Sequence, residues 1–161
     1  MLISDDAPDD CAYAFFLLKK FGIRATIGPD TPIIIITAYD YSEIEAEILQ
    51  MAGAEVVRVR DGRETVDWFC SLKGRNCDAI LMDIQMPKLN GYQATKEIRS
   101  SGCPNARTIP IIAMTANAFR EDVALALEAG MNAHIAKPID VEVLYQTLED
   151  TMKQKKITKT K

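Results

Sequence analysis

The sequence predicts a doubly wound α/β fold built on an open, mainly parallel sheet. Short apolar runs alternate with stretches of 3.6-residue periodicity. Those runs are apolar on both parities, as strands covered by helices on both faces must be. Polar residues stand directly after them, where such a sheet gathers its functional groups. A chain of 161 residues suffices for one core of this kind.

Taken in chain order, the first elements form a repeat. MLISDD followed by LLKKFGIRATI matches PIIIIT followed by ILQMAGAEVVRV at an offset of 31, with Gly22 over Gly53. Each copy reads as strand, helix, strand. The second copy also matches a later segment, with Pro32, Ile33, Ile34, Thr37 and Ala38 falling on Pro110, Ile111, Ile112, Thr115 and Ala116. In the second copy Ile44, Ile48 and Met51 share a helix face, and Ser42 with Glu45 has capping-box spacing. Further strands are expected at 79–82, 109–114 and 134–136. Between the last two, Phe119, Val123 and Leu127 make an apolar helical stripe that ends where Gly130 can adopt a left-handed cap. A final helix starts near Asp140, with Val141, Leu144, Leu148 and Met152 facing inward. From Lys153 the sequence loses its apolar face, and 155–161 reads as a basic flexible tail. The domain division is therefore 1–31 for the extra copy, 32–154 for the main unit and 155–161 for the tail.

Composition narrows the function. With 48% hydrophobic and 26% charged residues, disorder and disulfide scaffolds are excluded. Nineteen Lys and Arg against 23 Asp and Glu give a net charge of −4, which argues against direct nucleic-acid binding. Cys11, Cys70, Cys77 and Cys103 form no C-x-x-C pair, and His134 is the single histidine, so reduced, buried thiols are expected rather than a zinc site. The acidic start MLISDD is no signal peptide, and the apolar run at 33–36 is far below the ~20 residues that span a bilayer, so a cytoplasmic protein is expected.

The polar residues at strand ends carry the chemistry. Asp83 follows AILM, Thr115 follows IIAM and Lys137 follows HIA, while Asp5 and Asp6 follow MLIS. Clustered carboxylates call for a hard cation such as Mg²⁺, and the hydroxyl and ammonium call for an anion. A phosphoryl group on Asp83 answers both. Each residue alone has a plainer reading: Asp83 as a cap, Thr115 as an N-cap, Lys137 and His134 as surface groups, Asp5 and Asp6 as a polar cap on the following helix. Their combination is what points to chemistry.

DAILMDIQMPKLNG, PIIAMTANAF and EAGMNAHIAKPI together resemble the receiver domains of two-component response regulators, closest in wording to those of hybrid histidine kinases. In MDIQMPKLNG, Pro87 lies four residues after the aspartate and Gly91 eight after it. The resemblance implies a five-stranded flavodoxin-like receiver fold. It makes Asp83 the phosphoacceptor, Thr115 the switch hydroxyl, Lys137 the phosphoryl-binding ammonium and Pro138 a cis proline. It puts His134 at an aromatic switch position, gives Mg²⁺ the Gln85 backbone carbonyl, and makes the Gln85 side chain and Asn117 tuners of phosphate lifetime. The partner implied is a histidine kinase or histidine phosphotransfer protein. A homodimer would form through the fourth helix, fifth strand and fifth helix. Twenty-four residues follow Lys137, room for one helix and a tail, so output is expected through phosphotransfer or surface recognition.

One feature departs from the family pattern. Its acidic pair at the end of strand one falls here on Ile36 and Thr37, and acids occur only upstream, as Asp5 and Asp6. Contiguity and four isoleucines favour 33–36 as strand one, which leaves the helix at 12–18 outside the core and the metal site short of its acids. The alternative functions are a degenerate receiver that binds partners without phosphorylation and an aspartate-nucleophile phosphatase. The latter family wants Asp-x-Asp, whereas Ile84 and Gln85 follow Asp83.

Overall fold

The computed structural model describes residues 33–37, 46, 47, 49, 50, 54–72, 77–116 and 119–159, with side chains excepted at 33–37 and 155–159. The elements run β1 (Ile33–Thr37), β2 (Glu55–Val59), α1 (Gly62–Ser71), β3 (Ala79–Asp83), α2 (Gly91–Ser100), β4 (Ile111–Thr115), α3 (Arg120–Ala129), β5 (Ala133–Ala136) and α4 (Val141–Lys159). Residues 46, 47, 49 and 50, between β1 and β2, are also helical.

All described strand pairs are parallel, in the order β2-β1-β3-β4-β5. The order reverses between β1 and β3, so the crevice where open α/β sheets bind ligands lies at the carboxyl ends of these two strands. Strands β3 and β4 are buried along their whole length. Alternation splits their side chains between two cores. Ala79, Leu81, Ile112 and Met114 pack with Ala46, Leu49, Leu144, Tyr145 and Leu148 on one face. Ile80, Met82, Ile111 and Ala113 pack with Val66, Phe69, Ala94, Ile98 and Ala126 on the other. A sheet covered by helices on both sides explains the unbroken apolar runs.

Three expectations need correction. The Phe119, Val123, Leu127 stripe does not face the core: Phe119 is 67% and Leu127 59% exposed, because α3 packs through the small residues Ala126 and Ala129. The thiols are not all reduced, since the end of α1 and the loop after α2 lie side by side, Cα to Cα 5.5 Å, and Cys70 and Cys103 form a disulfide. Cys77 is free and buried. Finally, the backbone of α4 stays helical to Lys159. Lys and Gln are good helix formers, and Lys153 pairs with Glu149 one turn earlier at 2.5 Å. The N-terminal copy 1–31, including Asp5, Asp6 and the helix expected at 12–18, lies outside the described residues, as do Ile44, Ile48, Met51, Ser42 and Glu45. Among the described residues no helix is long and apolar enough to cross a membrane.

Candidate functional site

Register aligns three side chains along one edge of the sheet. Thr37 pairs with Met82, Asp83 with Met114, and Thr115 with Ala136. The ladder then runs one step further, with Ile84 N–H donating to the Met114 carbonyl at 3.1 Å and Lys137 N–H to the Thr115 carbonyl at 2.8 Å. Asp83, Thr115 and Lys137 thus mark the ends of β3, β4 and β5, beside the switch-point crevice. Asp83 and Thr115 are 6% and 5% exposed, so both are nearly buried polar groups.

Burying a carboxylate is costly unless it is paired and hydrogen-bonded. Lys137 Nζ donates to Asp83 Oδ2 at 2.6 Å. The backbone N–H of Gln85 donates to Asp83 Oδ1 at 3.0 Å, while the Gln85 side chain is exposed. A cis peptide joins Lys137 to Pro138, as the resemblance implies. His134 is exposed on the edge strand β5, its Cα paired with that of Ala113. Asn117, like Asp5 and Asp6, lies outside the described residues.

The loop from β3 to α2 is tightly constrained. Gly91 N–H donates to the Ile84 carbonyl at 3.1 Å, and a Cβ on Gly91 would stand 2.4 Å from the Asp83 carbonyl oxygen. Only glycine lets α2 begin this close to the strand end. Asn90 caps α2 with a full capping box to Gln93.

Sequence reasoning missed a second carboxylate here. Asp61 caps α1 by accepting from Glu64 N–H at 2.8 Å, and its other oxygen takes Lys88 Nζ at 2.6 Å. The Lys88 ammonium beside it, helped by the Glu64 N–H, holds the Asp61 carboxyl below its ordinary range despite burial. The Asp61-x-x-Glu64 spacing after an apolar run is a helix-start signal that could have revealed the cap. The pairing to Lys88, 27 residues away, has no local signal.

Among the described residues, no three of His, Cys, Asp or Glu stand together in a group that could hold a metal ion.

The family described as "Response regulator receiver domain" matches residues 40–149. The chain is 33% identical over 157 residues to Histidine kinase 1 of Arabidopsis thaliana, covering 79% of this chain and 12% of that protein. It is 37% identical over 103 residues to Hybrid signal transduction histidine kinase I of Dictyostelium discoideum, covering 63% and 6%. The chain therefore spans a small part of the curated relatives it matches. Among solved structures, the receiver domain of sensor histidine kinase PA1611 from Pseudomonas aeruginosa, with a magnesium ion coordinated in its active site cleft, aligns with a TM-score of 0.65 at 37% identity, covering 76% of this chain and 98% of that one. A response regulator structure from Chloroflexus aurantiacus aligns with a TM-score of 0.68 at 26% identity, covering 76% and 98%. With the flavodoxin-like strand order and the strand-end Asp, Thr and Lys on one edge, these matches establish that the chain belongs to the response regulator receiver domain family.

Proposed function

We propose that Asp83 accepts a phosphoryl group from a phosphohistidine on a histidine kinase or histidine phosphotransfer protein. The Lys137 ammonium, 2.6 Å from Asp83 Oδ2 at the end of β3, is the observation that carries this reading. In the transfer a P–O bond forms to an Asp83 carboxylate oxygen as the P–N bond to the donor imidazole breaks; the imidazole nitrogen keeps the electron pair. Lys137 then exchanges its carboxylate partner for a phosphoryl oxygen, and Thr115 supplies a hydroxyl that reads the modified state. Mg²⁺ suits the oxygen donors present, the Asp83 carboxylate and the Gln85 carbonyl, and when bound it offsets charge on the phosphoryl oxygens. The module is a signalling device that catalyses its own phosphorylation and dephosphorylation. It works in the cytoplasm, where ATP-fed kinases supply the donor.

The receiver unit is assigned to 32–154, with 1–31 an additional strand–helix–strand repeat and 155–161 a basic extension. Gln85, Asn117 and His134 tune phosphate lifetime and the switch; because Ile33–Thr37 is the strand beside β3, Asp5 and Asp6 are metal ligands only if the N-terminal copy reaches the site from outside that strand. No direct nucleic-acid contact is proposed. With the helical residues 46, 47, 49 and 50 counted first, α3 and α4 are the fourth and fifth helices, and a homodimer would pair through α3, β5 and α4. Exposed Phe119, Leu125 and Leu127 at α3 and Val143 on α4 support that face.

Phosphorylation by acetyl phosphate with Mg²⁺, mapped by mass spectrometry, is expected on Asp83 alone. Label that persists in Asp83→Asn overturns the assignment. Lys137→Ala should weaken labelling, whereas Thr115→Ala should permit it and blunt the response.

A second reading, a receiver that binds partners without phosphorylation, is favoured by one observation: β1 runs through Ile36 to Thr37, where the family places its acidic pair. Two protein ligands leave about four positions of an Mg²⁺ octahedron to water. Thr37→Asp is therefore expected to strengthen Mg²⁺ binding in a titration, and Asp6→Asn to leave it unchanged. The reverse result would mean that Asp6 of the N-terminal copy reaches the metal although β1 lies at Ile33–Thr37.

A further inference from the structure

The loop that carries Gln85 contains a strained residue. Lys88 has φ 65°, and Leu89 N–H donates to the Pro87 carbonyl at 2.8 Å, which closes a γ-turn of the rarer, positive-φ kind around it. A residue with a Cβ holds such a conformation only where its surroundings impose it. Two contacts impose it here. Lys88 Nζ reaches Asp61 Oδ2 at 2.6 Å, and Asp61 is itself anchored, since its Oδ1 takes Glu64 N–H and its carbonyl takes both the N–H and the hydroxyl of Thr65. Next to it, Gly62 leaves room for the Leu89 carbonyl oxygen, which would lie 2.3 Å from a Cβ at that position. The β2–α1 turn therefore grips the loop at Lys88 and Leu89. Three residues before Lys88 in the same loop, Gln85 N–H holds the Asp83 carboxylate.

We propose that Asp61 and Lys88 form a latch that positions Gln85, and through it the Asp83 carboxylate, for the cation and the phosphoryl group. Both are positioning residues; neither touches the reacting atoms. The inference rests on the receiver reading. The plainer alternative is an ordinary surface ion pair, because the Lys88 side chain is 73% exposed. Such pairs contribute little to global stability, so the two readings separate cleanly: a latch alters local geometry and metal affinity, a surface pair alters neither.

The test uses the full chain, its Lys88→Met variant, which removes the ammonium and leaves the Asp61 cap on α1 intact, and Lys88→Arg, which keeps a cation. Isothermal titration with MgCl₂ alone is expected to show affinity falling roughly tenfold in Lys88→Met, the lower end of what outer-shell partners contribute at metal sites. Lys88→Arg should stay close to the parent, and all three chains should melt at nearly the same temperature. In the metal-free proteins, the Gln85 and Leu89 amides should exchange hydrogen faster in Lys88→Met. Unchanged affinity with unchanged exchange, or a lower melting temperature with unchanged affinity, overturns the latch. A parent chain that binds no Mg²⁺ overturns the cation's place in the receiver reading, and amide exchange at Gln85 then decides the latch: faster exchange in Lys88→Met supports it and equal exchange removes it.

Discussion

β3 and β4 are neighbouring strands of five residues each, buried along their whole length and ending at the same edge of the sheet. Their outgoing connections differ. After β3 the chain is held at almost every step: Gln85 on Asp83, the turn at Lys88, the Asp61 bond, the Asn90 capping box and the close seat of Gly91. After β4, the N-cap of α3 is Phe119, which makes no side-chain cap bond and is 67% exposed. Glu121 and Asp122 in its first turn suit the helix dipole, but α3 buries only Ala126 and Ala129 fully. The carboxylate proposed as nucleophile thus precedes the closely held connection, and the hydroxyl proposed to read it precedes a helix, α3, that is held by few buried side chains. Elements with few buried apolar contacts open at low free energy, so under the proposed function a new bond at Thr115 would shift α3 at small cost.

The largest effects are expected in the β3–α2 loop. Gly91→Ala drives a Cβ against the Asp83 backbone oxygen, which cannot swing away as a side chain would. A loss of about 3 kcal/mol in urea unfolding is expected, near the top of the range for overpacking, together with slower labelling of Asp83. Asn90→Ala removes the cap from α2 and should lose about 1 kcal/mol. The matching change on the loose side has the opposite sign. Phe119→Asp supplies the missing cap and gives up little packing, so up to about 1 kcal/mol of stabilisation is expected. If α3 reads the phosphorylated state by moving, the same variant should also narrow the difference in α3 amide exchange between phosphorylated and unphosphorylated protein. An unstabilised Phe119→Asp would mean that α3 is already held by contacts of another kind.

The division between the two connections is only partly legible in the sequence. Asp83, Thr115 and Lys137 can be found because each ends an apolar run, and a parallel sheet sends such residues to one edge. The Gly130 cap is legible for a similarly local reason, and it adopts φ 97°. The Phe119, Val123, Leu127 stripe misleads because periodicity reports that a face exists without saying what covers it. Small residues win the packing of α3 instead. Three further features depend on pairings 27 to 34 residues apart that leave no trace in local pattern: Lys88 with Asp61, Arg63 with Glu97 and Cys70 with Cys103. Arg99 belongs with them, its guanidinium tying Ala106 to Gly130 and Asn132 across the ends of α2 and α3.

The smallest effect expected is electrostatic and tests whether the rigid connection depends on a charged Asp61. In Asp61→Asn the amide oxygen still caps α1, since Asn and Asp serve about equally well there, but the ion pair to Lys88 is gone. Lys88, and after it the Glu64 N–H, hold the Asp61 carboxyl below its ordinary value of 3.8. A carboxyl depressed in the folded state contributes stability that is present above its unfolded pKa and lost as pH falls through the folded one. The parent should therefore exceed Asp61→Asn in stability at neutral pH by a margin that stays level down to pH 3.8 and shrinks below it. Other carboxylates titrate in the same range in both proteins, so the difference between the two unfolding curves is the quantity to follow, with Leu89 amide exchange as the local readout. No margin at any pH would show that the Asp61 side chain acts through its cap alone, and that the β3–α2 loop is fixed by the Gly62 and Gly91 contacts without the ion pair.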